Sequence, residues 1–162
     1  MNSISYGLLI ALAIALLFAA FTDMRRRQID NWLNAAIALG APVFWWSLDD
    51  FSLWPDVAIQ LGLALAAFTV FAVMFALKMM GGGDVKLLTV LALWITPSDF
   101  MQLLLIMALA GGALTVVMFF WHGARKQKEK LAIPYGVAIA FGGLWVLAVN
   151  YLPSSVIAVQ AA

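Results

Sequence analysis

The chain predicts an all-α, polytopic membrane protein of six transmembrane helices, the fourth of them short. Three observations carry that prediction. Of the 162 residues, 65% are hydrophobic and only 10% charged, with a mean hydropathy of +1.02, whereas a soluble domain is nearer half apolar. Six apolar segments follow one another with no linker or low-complexity tract between them. All nine Lys and Arg residues then fall in alternate loops.

The segments are Ile4–Phe21, Leu33–Leu48, Val57–Leu77, Val85–Thr96, Phe100–Trp121 and Ile133–Leu152. Crossing a bilayer core about 30 Å thick takes roughly 20 helical residues. The first segment has no basic residues before it; its arginines come after, which marks a retained helix rather than a signal peptide. Arg25, Arg26 and Arg27 follow segment one, Lys78 and Lys86 flank the glycine run, and Arg125, Lys126, Lys128 and Lys130 follow segment five. The opposite loops hold Asp49, Asp50, Asp56 and Asp99 and no basic residue. The positive-inside rule makes the basic side cytoplasmic and puts both termini outside. Trp45, Trp46 and Trp54 on one side, and Trp32 and Trp121 on the other, read as interfacial belts. Gly111-Gly112 and Gly142-Gly143 read as sites of close packing between segments five and six. The whole of 1–162 reads as one membrane-embedded domain.

Segment four departs from the rule. About a dozen residues separate Val85 from Pro97, roughly 18 Å of helix, too short to cross alone. It starts at the turn Gly81-Gly82-Gly83-Asp84, so the glycine run is expected as irregular backbone at membrane depth, facing a wet cavity. Glycine permits φ > 0 and close approach. Asp84 at a helix start can accept free backbone amides. Asp23, where the first segment ends, lies on the same side. Carboxylates at the edge of a bilayer core are expensive and mark function, and two together suit acid/base chemistry.

Other chemistries are excluded. A net charge of +1 leaves no basic face for nucleic acid. With no Cys and a single His, His122, there is no thiolate nucleophile and no metal centre, and no cofactor is expected.

The stretch Asp23-Met24-Arg25-Arg26-Arg27-Gln28-Ile29-Asp30-Asn31-Trp32-Leu33 resembles the Asp-x-x-x-Arg-x-Ile-Pro-Asn-x-Leu signature of type IV prepilin peptidases. Gly81-Gly82-Gly83-Asp84-Val85-Lys86-Leu87 resembles their Gly-x-Gly-Asp-x-Lys-Leu segment, and Pro134-Tyr135-Gly136 their late Pro-Phe-Gly or Pro-Tyr-Gly element. The resemblance implies an intramembrane aspartyl protease with Asp23 and Asp84 as the catalytic pair. It implies support from Arg27, Asn31, Gly81, Gly83, Lys86, Pro134, Tyr135 and Gly136. The implied substrate is a prepilin, a basic leader joined to an apolar helix, cut at the cytoplasmic face, with pilus or secretion machinery as further partners. The small size resembles the TadV/CpaA branch, which processes Flp-type pilins and lacks the methyltransferase domain. Asp30 stands where the family has Pro; the expectation is that its side chain caps the second helix. Lys86 also fits a snorkelling cytoplasmic lysine, and Tyr135 an interfacial anchor. The competing reading is a small transporter or channel subunit with the Asp pair in an ion or proton path.

Overall fold

The computed structural model describes residues 1–49, 51–125 and 135–152, with backbone alone for 118–125. Asp50, Lys126, Gln127, Lys128, Lys130 and Pro134 lie outside the described residues. Within them the chain is all-helical: α1 (Ser3–Arg26), α2 (Asn31–Trp46), α3 (Asp56–Ala76), α4 (Gly82–Leu91), α5 (Pro97–Arg125) and α6 (Tyr135–Val146), the last continued by a π-helical turn Leu147–Tyr151. α1, α3 and Pro97–Val117 of α5 are long and apolar enough to cross a membrane. The six helices match the six apolar segments in order.

Consecutive helices run in alternate directions, and polar ties at the two ends show it. At one end Asn2 caps α1, accepting the amides of Ile4 and Ser5. Its Nδ2 donates to the Ser47 carbonyl at the end of α2 (2.8 Å). At that same end Tyr151 Oη donates to Asp99 Oδ2 (2.9 Å), tying the end of α6 to the start of α5. Pro97 occupies the first position of α5, where its missing N–H costs nothing. At the other end meet the end of α1, the starts of α2, α4 and α6, and the end of α3.

The core is built of Leu, Ile, Phe and Ala, with Leu16, Leu87, Leu88, Leu91, Leu103, Ile139 and Val146 fully buried. Glycines bring α6 against its neighbours. A Cβ on Gly142 would lie 2.9 Å from the Leu103 carbonyl oxygen in α5, and one on Gly143 2.9 Å from Leu16 Cδ1 in α1. Gly111 meets Tyr135 and Ala138 as expected of close packing, but Gly112 faces open space and has no such role.

The tryptophans divide. Trp46 and Trp54 are exposed, as belt residues are. Trp45 is instead built in: its Nε1 donates to the Leu93 carbonyl (2.8 Å), just past the end of α4. Trp94 is buried, donates to the Ile37 carbonyl (2.9 Å) and stacks on Phe44. Gly40 makes room for its ring, since a Cβ there would lie 2.7 Å from Trp94 Cζ2. These bonds satisfy the donors of two indoles where α4 stops short, and they anchor the truncated helix to α2. Trp32 is exposed and tilts against Phe18.

Candidate active site

Asp23 and Asp84 line one polar cavity of about 370 Å³, together with Arg27, Gln28, Ile29, Asp30, Asn31, Gly81, Gly82 and Gly83. Gly111 lies level with Tyr135 at the start of α6, and fourteen residues of helix from Pro97 to Gly111 rise about 21 Å. α5 continues beyond that level to Arg125. The start of α6 therefore lies level with the middle of α5, whose backbone runs on past it.

Each carboxylate is placed by a different helix. Asp23 sits in the last turn of α1, which runs on past the expected end at Phe21. It is buried, at 6% exposure. Its Oδ2 accepts the backbone N–H of Gly136 at 2.8 Å, a free donor of the first turn of α6. Asp84 is the third residue of α4, whose N-cap is Gly81. Its Oδ2 turns back over Gly81, 3.0 Å from where a Cβ on that glycine would stand. Asp84 therefore stands in the first turn of α4, at the positive end of its dipole, as expected of a carboxylate at a helix start.

The glycine run behaves differently from expectation. Gly82 and Gly83 are already helical, so the irregular stretch is the turn before them. No described glycine has φ > 0; the left-handed residues are Arg27 (φ 52°) and Lys78 (φ 60°). Arg27 ends α1, its amide donating to the Asp23 carbonyl. Lys78 closes α3, with its own amide to the Phe75 carbonyl and that of Met79 to the Met74 carbonyl, a Schellman ending made without glycine. The glycines serve close approach. A Cβ on Gly83 would lie 3.2 Å from Ile29 Cβ, and one on Gly81 3.0 Å from Asp84 Oδ2.

Asp30 is also corrected. It occupies the N-cap position of α2 but makes no side-chain cap bond. Its carboxylate pairs instead with Arg26 at 3.1 Å, because Arg26 sits one turn earlier on the chain reversal and reaches it first. Lys86 does not line the cavity; its Nζ donates to Asn31 Oδ1 (2.8 Å) and so ties α4 to the start of α2. Tyr135 packs on Gly111 and is not among the cavity residues. Of the residues expected at the site, Asp23, Arg27, Asn31, Gly81, Gly83 and Asp84 line one cavity, with Gly136 bonded to Asp23. Ile29 and Gly82 line it without having been singled out. Ile29 has a legible signal: it is the one aliphatic residue in the polar stretch Arg25–Asn31 and it is buried.

The model of the type IV leader peptidase family matches residues 10–116. That span holds both aspartates and the glycine run, and it stops short of Pro134-Tyr135-Gly136. No curated protein and no solved structure matches the chain. With well over half of its length matched, this all-helical membrane protein belongs to the type IV leader peptidase family.

Proposed function

We propose that the protein is a prepilin leader peptidase that removes the basic leader from Flp or type IV-like prepilins at the cytoplasmic face of the inner membrane. The observation that carries this is the placement of Asp23 and Asp84 on the wall of one cavity. Two carboxylates sharing a site cannot easily both ionise, so one keeps a proton. The ionised one takes a proton from water as the water oxygen attacks the scissile carbonyl carbon. The protonated one donates to the carbonyl oxygen. Collapse of the tetrahedral intermediate breaks the C–N bond, and the departing amine takes up a proton from the pair. The cytoplasmic placement rests on the basic residues Arg25–Arg27, Lys78 and Lys86 at the helix ends near the cavity.

The test is co-expression with a candidate prepilin. The expected result is a faster-migrating product whose new N-terminus, by sequencing, follows the basic leader. An uncleaved prepilin beside normally inserted protein, across the Flp-type and type IV prepilins of the same genome, refutes the reading.

A further inference from the structure

Asp23 lies one hundred and thirteen positions before Gly136 in the chain, and the two are in contact more intimate than any side chain would allow. A Cβ on Gly136 would lie 2.7 Å from Asp23 Oδ2, 2.9 Å from its Cγ and 3.0 Å from its Cβ. All three distances are at or below the limit for real Cβ contacts, and the atoms met are those of a buried, hydrogen-bonded carboxylate with little freedom to swing aside. The helix delivering the amide is itself held firmly. Gly142 seats α6 on the backbone of α5, and Gly143 seats it on Leu16 of α1, the helix that carries Asp23. Among the described residues Asp84 has no such contact with α6; it stands in the first turn of its own helix.

We propose that Gly136 is a positioning residue of the peptidase: by lacking a side chain and presenting its N–H, it docks one oxygen of Asp23 on the first turn of α6 and so aims the carboxylate into the cavity. The proposal rests on the leader peptidase reading for its consequence, not for its geometry. A first-turn amide has no partner within its own helix, so the carboxylate is what satisfies it. In return the partial positive charge of the helix start favours the anionic carboxylate. α6 therefore acts on the reaction through Asp23 without touching substrate. A displacement of the carboxylate by about 1 Å is enough to cost on the order of 100-fold in rate.

The experiment compares Gly136→Ala with Gly143→Ala, which introduces a milder clash, with the tip of the Leu16 side chain, in the same helix away from the cavity. In the full-length protein in lipid nanodiscs, prepilin cleavage gives kcat and KM. Separately, carbodiimide coupling of an amine, located by mass spectrometry, reports how open each carboxylate is. For Gly136→Ala the expected result is a fall in kcat of about 100-fold, KM within about threefold of the parent, and Asp23 coupling raised several-fold while Asp84 coupling holds. Parent-like kcat and Asp23 coupling overturn the proposal. So does a loss confined to KM, or an equal kcat loss in both variants. If Gly136→Ala does not accumulate, the Gly136 amide is followed by hydrogen exchange in the parent and in Asp23→Ala. Exchange at least tenfold faster in Asp23→Ala supports the docking, and equal exchange overturns it. The coupling and exchange readouts hold if no prepilin is ever cut, so failure of the peptidase reading is distinguishable from failure of this one.

Discussion

Gly83→Val tests why the family's glycine run is glycine here. A Cβ at position 83 would lie 3.2 Å from Ile29 Cβ, 3.4 Å from the Ile29 backbone nitrogen and 3.5 Å from Ile29 Cγ1. Ile29 is 7% exposed and sits in the short reversal between left-handed Arg27 and the start of α2, so it has little room to retreat. Valine adds two γ carbons to a contact already tight at Cβ. Overpacking of this kind costs about 1–3 kcal/mol. The better helix propensity of valine returns roughly 0.4 kcal/mol, leaving a net loss of about 0.6–2.6 kcal/mol. The strain is relieved by moving the first turn of α4 away from the α1–α2 reversal, which separates Asp84 from Asp23. A shift on the order of 1 Å implies about 100-fold slower cleavage. Gly83→Ala should fall between the two. The assay is pulse-labelled processing of a co-expressed prepilin, with enzyme abundance followed by immunoblot and melting temperature measured on purified protein. Gly112→Ala, which faces open space, is the control and should process normally. Parent-rate processing by Gly83→Val at normal abundance would show that the contact with Ile29 does not set the position of Asp84.

Asp23→Asn and Asp84→Asn should each abolish processing at normal membrane levels, since Asn matches Asp in size, and at position 23 can still accept from the Gly136 amide, but cannot ionise. The double variant should be little worse, as parts of one unit are not additive; substantial processing by either single variant refutes the two-aspartate mechanism. Asp30→Asn should keep most activity and shift stability by less than about 1 kcal/mol, because it loses only a half-exposed pair with Arg26; equal loss to Asp23→Asn on the same processing gel contradicts this. Gly40→Ala should lower the melting temperature by an amount equivalent to about 1–3 kcal/mol, since the Trp94 ring it meets at 2.7 Å is stacked and hydrogen-bonded in place. In intact cells an impermeant thiol reagent should label Ser98→Cys and spare Gln28→Cys; the reverse pattern inverts the proposed orientation.

Residue chemistry along the chain was enough to count the helices, order them and pick out both aspartates. Apolar runs of near-bilayer length have little choice but helix, because no other open backbone satisfies its polar groups in lipid. An Asp at the end of such a run is costly enough to demand a reason. The shortness of α4 was legible from Pro97 and the glycine run alone. The reason for each glycine was not. Position 83 reads as a site for φ > 0 or for close approach; the left-handed residues are Arg27 and Lys78, and the close approach is made to Ile29 of another loop, which no local signal names. Asp30 at a helix start reads as a cap, yet Arg26 one turn back takes its carboxylate. Trp45 reads as a membrane anchor, yet the end of α4 offers it a carbonyl. The Asp23–Gly136 bond joins α1 to α6 across nearly the whole chain. Periodicity, capping signals and hydropathy act over one or two helical turns, so they set which segments form and which residues end them. Which donor meets which acceptor, and where a Cβ has no room, is decided when helices distant in the chain pack side by side.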